Sequence, residues 1–389
     1  MVDQADTSGI MRGFPPAEGQ RATLANWRNR PFNAWSFQHV RELIPSADIA
    51  HDPENIRDFP LGQLDVAGLG IEAVMADTDT DAVVVLRGGE LVYESYRNGM
   101  DQNSHHILMS VSKSILGLIA GTLVDRGEID LDALVTDWIP EVADTAYKGA
   151  TIRQLLDMRA GVLFEEDYLA TEGPIIEYRY AMNWNQLPPG RSPGDLRSFF
   201  SCLTETDGPH EGRFHYVSPN TDLLGWVFER ATGQRYADML SERLWKPMGA
   251  GAPAYITVDP IGAPRAAGGL CMTARDLARI GAVMADEGGG VIPKGWINDI
   301  LTNGDPDAWD RGDFSDHFVG QSMHYRSKWY VARGDKPMIH ALGIHGQYLF
   351  VDPARDLSIS WFSSQHDPLN EEATGKTLAL VYAIRERCD

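Results

Sequence analysis

The residues that follow Ser110 allow this chain few folds. Val111, Ile115, Leu118, Ile119 and Leu123 fall at helical spacing, and Gly117, Ala120 and Gly121 between them are small enough for close packing. The run ends at Asp125-Arg126-Gly127, where glycine supplies the left-handed cap of a helix C-terminus. A helix this apolar has to be largely buried, so the fold must place other elements around it. Two polar residues stand at its entrance, Ser110 and Lys113. At i and i+3 they share one face of the first turn, within reach of each other. Unpaired N–H groups and the positive end of the helix dipole favour the negative charge that a nucleophilic serine develops. The same field, together with burial, depresses a lysine pKa until the neutral amine can accept a proton. A Ser-x-x-Lys string alone is common, and it is the buried context that gives this one chemical meaning.

Around that helix the pattern is mixed. Ala82–Leu86 and Glu90–Tyr96 are β-branched and aromatic runs flanking Arg87-Gly88-Gly89, which predicts a hairpin. Short helices are predicted near Ser36–Leu43, Ile71–Ala76, Leu131–Ile139 and Thr151–Met158, the last with Thr151 as N-cap. Longer amphipathic helices are predicted at Asp222–Thr232, Tyr236–Leu244 and Ala274–Asp286. Strands return at Ser327–Ala332, Met338–Leu342, Gln347–Val351 and Leu357–Ser363, and a helix from Glu371 to Cys388 closes the chain. Strands at both ends with a helical middle predict an α/β (α+β) fold, an antiparallel sheet flanked by helices with an inserted, mainly helical domain. The expected division is 1–70 as an extension wrapped on the body, 71–115 with 260–389 as the α/β domain, and 116–259 as the insert. The stretch 162–198, rich in Tyr, Trp, Asn, Pro and Gly without a period, reads as a binding loop. Asp77-Thr78-Asp79-Thr80-Asp81 lacks the glycine and glutamate of a calcium loop, with Ala82 and Gly88 in their places, and reads as an acidic turn.

Composition bounds the partners. A net charge of −21 over 389 residues argues against nucleic acid and anionic membranes. Cys202, Cys271 and Cys388 are odd in number and far apart, which suggests a reducing compartment and a cytoplasmic location. Met1 to Ile10 shows no basic segment leading into an apolar core, so no signal peptide is expected, and no apolar run approaches the roughly 18 residues of a membrane span. A homodimer is compatible with the sequence.

A second chemical stretch, Tyr216-Val217-Ser218-Pro219-Asn220, stands at the entrance of a helix, with Asn220 expected as its N-cap. A phenol whose pKa is lowered by a nearby ammonium could take a proton from the serine and return it to the leaving group. With Ser110-x-x-Lys113, this segment resembles the β-lactamase/DD-peptidase superfamily, whose class C branch carries Ser-x-x-Lys and Tyr-x-Asn. Thr151–Leu156 and Ala267–Leu277 are similar to the same superfamily. Leu108–Ser114, Glu166-Asp167-Tyr168, Tyr216-x-Ser218-x-Asn220 and Gly343–Gln347 resemble its 6-aminohexanoate-dimer hydrolase (nylon-oligomer hydrolase) branch, with Ser218 where other members have asparagine.

The resemblance implies a serine hydrolase of linear amides or carboxylic esters that works through an acyl-enzyme with no metal or organic cofactor. Its catalytic residues would be Ser110, Lys113 and Tyr216. The oxyanion hole would be the N–H groups of Ser110 and Ile344, and Tyr168, Ser218, Asn220, Gly343, His345 and Trp329 would line the substrate site. Tyr168 is expected on a loop that closes and donates a hydrogen bond near the scissile nitrogen; otherwise it anchors that loop. His345 is expected on an inner strand, as a base or a hydrogen-bonded structural residue. Ala341-Leu342-Gly343 lacks the basic residue of the superfamily's third motif, which disfavours the alternative of a β-lactamase or D-amino-acid peptidase. A non-catalytic penicillin-fold binding protein is disfavoured by the presence of all three catalytic residue types. Where the nylon-oligomer hydrolases present acidic or amide groups to a substrate amine, this chain has Tyr178-Arg179 and Ala267.

Overall fold

The computed structural model describes residues 9–318 and 320–388; the reading of Met1 to Ile10 therefore lies outside the described residues except for Gly9 and Ile10. In chain order the strands are β1 (Ser46–Ile49), β2 (Thr80–Arg87), β3 (Glu90–Tyr96), β4 (His105–Ile107), β5 (Ala254–Thr257), β6 (Leu270–Thr273), β7 (Met323–Arg326), β8 (Trp329–Ala332), β9 (Met338–Gly343), β10 (Gln347–Asp352) and β11 (Leu357–Ser363). Seven of them form one antiparallel sheet in the order β3-β2-β11-β10-β9-β8-β7, so strands from both ends of the chain meet in it. The other four form a small sheet, β1-β5-β6-β4.

The period of two sorts the side chains of the large sheet onto two apolar layers. From β2, Ala82, Val84 and Leu86 join the main core, while Val83 and Val85 face a second cluster. From β10, Leu349 and Val351 take the first side and Tyr348 and Phe350 the second. The helices used below are α1 (Val111–Asp125), α2 (Ile152–Leu156), α3 (Pro174–Ala181), α4 (Pro219–Thr232), α5 (Ala274–Ala285) and α6 (Glu371–Glu386). Leu380, Val381 and Ile384 of α6 cover the second cluster. Each contributes about 1.5–3 kcal/mol relative to exposure, as an upper bound. On the other face α5 lies against β2, β10 and β11, and Ser358 and Ser360 of β11 donate to the carbonyls of Ala278 and Ala274.

Helix α1 is buried on all sides from Val111 to Leu123, as its apolar girth requires. Its glycines explain how it is surrounded. A Cβ on Gly117 would lie 2.0 Å from the carbonyl oxygen of Ser327, and one on Gly121 would lie 2.5 Å from the Trp296 ring. Trp296 Nε1 donates to the Gly117 carbonyl at 2.8 Å. Gly127, at φ +66°, ends the helix, with its N–H and that of Glu128 donating to the carbonyls of Val124 and Leu123.

Several local expectations are corrected. The 36–43 helix is a turn at Asn33–Ser36 followed by a tight turn at Val40–Glu42, and the 131–139 helix shortens to Val135–Trp138. Between 162 and 198 the chain forms α3 and a short helix at Leu196–Phe200; Pro174 at the first turn of α3 is tolerated because no N–H is needed there. The strand expected from Ser327 begins at Trp329, since Ser327 and Lys328 form the positive-φ turn of the β7–β8 hairpin.

Candidate active site

Strand β4 delivers the chain through Leu108 and Met109 to Ser110 at the mouth of α1. Leu108 N–H donates to the Leu270 carbonyl at 2.8 Å, which fixes the approach. Met109 is held at φ +46°, a conformation that costs energy for a side chain of this size and persists only where packing enforces it. Lys113 Nζ then lies 2.7 Å from Ser110 Oγ and 2.8 Å from the carbonyl oxygen of Ala267. The lysine is 1% exposed, and burial lowers its pKa to about 7, with Arg265 adding to the effect and Glu166 and Asp222 opposing it. A neutral amine is therefore available beside the serine near neutral pH.

Tyr216 completes the group. Its ring stands 4.9 Å from Lys113 Nζ, and its hydroxyl faces Ser110 and Tyr330. The pKa expectation reverses here. Burial, and then the Glu166 carboxylate, raise the Tyr216 phenol above its ordinary value, outweighing the lowering contributed by Ser110 and Arg265. Tyr216 therefore stays protonated as a phenol, able to donate rather than accept a proton.

Gly343, at the end of β9, brings a second backbone segment against Ser110. A Cβ there would lie 2.8 Å from Leu108 O and 3.1 Å from Ser110 N. The next residue, Ile344, joins Ser110, Tyr168 and Tyr216 in lining a pocket of about 290 Å³. Among the described residues, the main-chain N–H groups of Ser110 and Ile344 donate to no other main-chain group. Phe314, Phe318, Tyr330, Leu342 and Leu378 give this pocket a mainly apolar lining, with Asp316, His317 and Glu371 also bordering it.

The remaining sequence candidates divide. Tyr168 lines the pocket, but its hydroxyl donates to Glu166 Oε2 at 2.9 Å. The other Glu166 oxygen accepts from the Ser218 N–H, so Ser218 reaches the site through its backbone and lines a small recess next to Ser110. Asn220 lies in the first turn of α4 rather than at its cap, fully buried beside the Met158 sulfur, because the helix begins at Pro219 with Ser218 in the cap position. Trp329 is corrected: it is completely buried in the main core, and its neighbour Tyr330 faces the pocket, as strand alternation requires. His345 sits not on a strand but in the β9–β10 turn at φ +61°. Its Nδ1 is 2.8 Å from the Gln365 carbonyl oxygen, and burial lowers its pKa to about 4, which leaves it neutral.

Other participants were not read from the sequence. Asp222 Oδ1 accepts from the Ala267 N–H at 2.8 Å, and Oδ2 accepts from Tyr178 and Arg265. Asp222 thereby holds the residue whose carbonyl accepts from Lys113. Its signal was present as a charged residue within the buried stretch Pro219–Phe228 of α4. Lys328 is also fully buried, with Nζ 2.5 Å from the Leu155 carbonyl, and its pKa lies well below the ordinary lysine value through burial and through Lys113.

Residues 71–384 match the beta-lactamase family. The chain belongs to that family. It is 37% identical over 362 residues to the 6-aminohexanoate-dimer hydrolase of Paenarthrobacter ureafaciens, covering 91% of each chain. It is 30% identical over 198 residues to esterase EstB of Burkholderia gladioli, covering 46% of this chain and 47% of that one. A solved structure from Bacillus anthracis, provisionally described as a 6-aminohexanoate-dimer hydrolase, superposes with a TM-score of 0.84 at 26% identity, covering 95% of this chain and 98% of that one. The protein is accordingly a hydrolase of the beta-lactamase family, with the antiparallel sheet and flanking helices of that fold. Among the described residues no helix is long and apolar enough to cross a membrane.

Proposed function

We propose that the protein cleaves linear amides or carboxylic esters through an acyl-enzyme on Ser110. The observation that carries this reading is the 2.7 Å approach of Lys113 Nζ to Ser110 Oγ, with the lysine titrating at about 7. Ser110 Oγ attacks the carbonyl carbon while its proton passes to Lys113, and the oxyanion is held by the N–H groups of Ser110 and Ile344. As the tetrahedral intermediate collapses, the Tyr216 phenol gives its proton to the departing amine or alcohol and is reprotonated from Lys113. Water then attacks the acyl carbon and gives up a proton through the same pair, releasing the acid and restoring Ser110. No step draws on a metal or an organic cofactor.

The relatives support both bond types, since one is named for an amide substrate and another as an esterase. Ala341 on β9 is buried and uncharged, which continues to disfavour a β-lactam substrate. The odd number and wide spacing of Cys202, Cys271 and Cys388 favour a reducing, cytoplasmic setting. The deciding experiment is a panel of p-nitrophenyl butyrate, 6-aminohexanoate dimer and a chromogenic cephalosporin, run on wild type and Ser110→Ala. Turnover of the ester or the linear amide, reduced at least about a thousandfold in the variant, supports the reading. Near-normal turnover by Ser110→Ala, or cleavage of the cephalosporin alone, overturns it.

A further inference from the structure

A second, larger cleft of about 670 Å³ opens beside the catalytic pocket, and the two share Tyr168 and Ile344 as a common wall. Its lining includes Trp27, Arg28, Arg179, His345, His366 and Asp367. Arg28 and Arg179 also line the small recess that contains Ser110 itself, so the two guanidinium groups and the nucleophile border one space.

These arginines are unusual in what they lack. Arg28 Nη2 donates to the neutral Asn185 Oδ1 at 2.7 Å, and Arg179 Nη2 donates to the Tyr168 carbonyl at 2.9 Å. Among the described residues neither forms an ion pair, although Glu166 and Asp167 act on Arg179 at longer range. Burial, and then the like charge of Arg179, lower the Arg28 pKa to about 9. Arg179 is buried and Arg28 partly buried, and a cation drawn out of water with no ion-paired carboxylate is costly, the more so when a second one borders the same space. In a chain of net charge −21 this cannot be ascribed to a shortage of acidic residues. Nor is Arg28 loosely placed: the preceding Trp27 is fully buried, stacks edge-on with Trp184 at 5.3 Å, and donates through Nε1 to the Trp184 carbonyl at 2.9 Å. A planar carboxylate is the group that two adjacent guanidinium forks hold best.

We propose that Arg28 and Arg179 form an anion subsite next to Ser110, so that the substrate carries a carboxylate on one side of the scissile bond and an apolar group on the other. The apolar group packs against Phe314, Tyr330, Leu342 and Leu378 in a pocket whose lining also holds Asp316 and Glu371, which disfavours a second carboxylate there. This assignment rests on the acyl-enzyme reading above and narrows its substrate class to small amides or esters bearing one negative charge.

The test compares neutral p-nitrophenyl butyrate with two charged esters. The p-nitrophenyl half-ester of glutaric acid puts a carboxylate on the acyl side, and 3-carboxy-4-nitrophenyl butyrate puts one on the leaving group. One of the two is expected to exceed the neutral ester in kcat/KM by about tenfold or more, the scale of a charge-assisted hydrogen-bonded pair. That ratio should fall towards one in Arg28→Gln and in Arg179→Gln. The proposal is overturned if neither charged ester is preferred by wild type, or if the preference survives in both variants. Should wild type hydrolyse none of the three, the hydrolase reading fails separately, and calorimetric titration with glutarate still decides the subsite. Weaker glutarate binding by either folded variant than by wild type supports it; equal binding, or none by wild type, ends it.

Discussion

Replacing Gly343 with alanine would place a Cβ 2.8 Å from the Leu108 carbonyl oxygen and 3.1 Å from the Ser110 amide nitrogen. Both neighbours are backbone atoms of the β4–α1 connection, and Gly343 itself is held between β9 and the β9–β10 turn, so neither side can rotate away. Relief requires the two segments to part by several tenths of an ångström. That separation acts directly on the distance between the N–H groups of Ser110 and Ile344, which must converge on one oxyanion. Loss of one donor from such a hole costs about 10²–10³ in kcat. Gly343 has no positive φ, so its backbone accepts alanine without conformational strain and the substitution tests the hole more than the fold. The assay is kcat and KM for p-nitrophenyl butyrate alongside a thermal unfolding curve. A fall in kcat of about a hundredfold, with a cooperative unfolding transition retained, is expected. Activity within threefold of wild type, in a protein that unfolds cooperatively, would refute the placement of the oxyanion between these two amides.

Four further outcomes follow from the site. Because Lys113 must be neutral to accept a proton, the acylation rate should rise with pH through a midpoint at about 7, and a rate independent of pH between 6 and 8 would exclude it as the base. The same depression from 10.5 means that the folded protein binds fewer protons than the unfolded chain between about 7 and 10.5, so this residue makes stability rise with pH across that window, measurable by denaturant titration. Glu166 raises the Lys113 pKa, so Glu166→Gln should shift the ascending limb of the pH–rate profile to lower pH; a shift in the opposite direction would contradict the charge assignment. Tyr216→Phe should slow amide hydrolysis at least about tenfold more than p-nitrophenyl ester hydrolysis, since only the amine needs the phenol's proton, and equal losses on both would make Tyr216 a positioning residue.

The buried helix after Ser110, the hairpin at β2–β3 and the C-terminal strands were legible because their patterns are strong and local. The four-stranded sheet was not, because β1, β4, β5 and β6 are three or four residues long and too short to show a period. The pairing of Ser110 with Lys113 followed from i,i+3 spacing alone. By contrast, the sign of the Tyr216 shift depends on burial and on Glu166, fifty residues away in sequence, and no local pattern carries it. Trp329 shows the cost of a one-residue register choice: a strand residue expected at the pocket faces the core, and its neighbour takes the pocket. The roles of Arg28 and Asp222 were hidden for one reason. Each gains its role from contacts made by a distant segment, at Asn185 for one and at Ala267 for the other.

The central claim is that Ser110 becomes acylated. It is tested most directly by mixing wild-type protein with p-nitrophenyl hexanoate, quenching in acid during steady-state turnover, and mapping the acyl group by mass spectrometry of the digested chain. The account predicts a hexanoyl group on the peptide containing Ser110, localised to that side chain and lost in Ser110→Ala. A hexanoyl group on Lys328, His345 or another residue that persists in Ser110→Ala, with turnover intact, would contradict it.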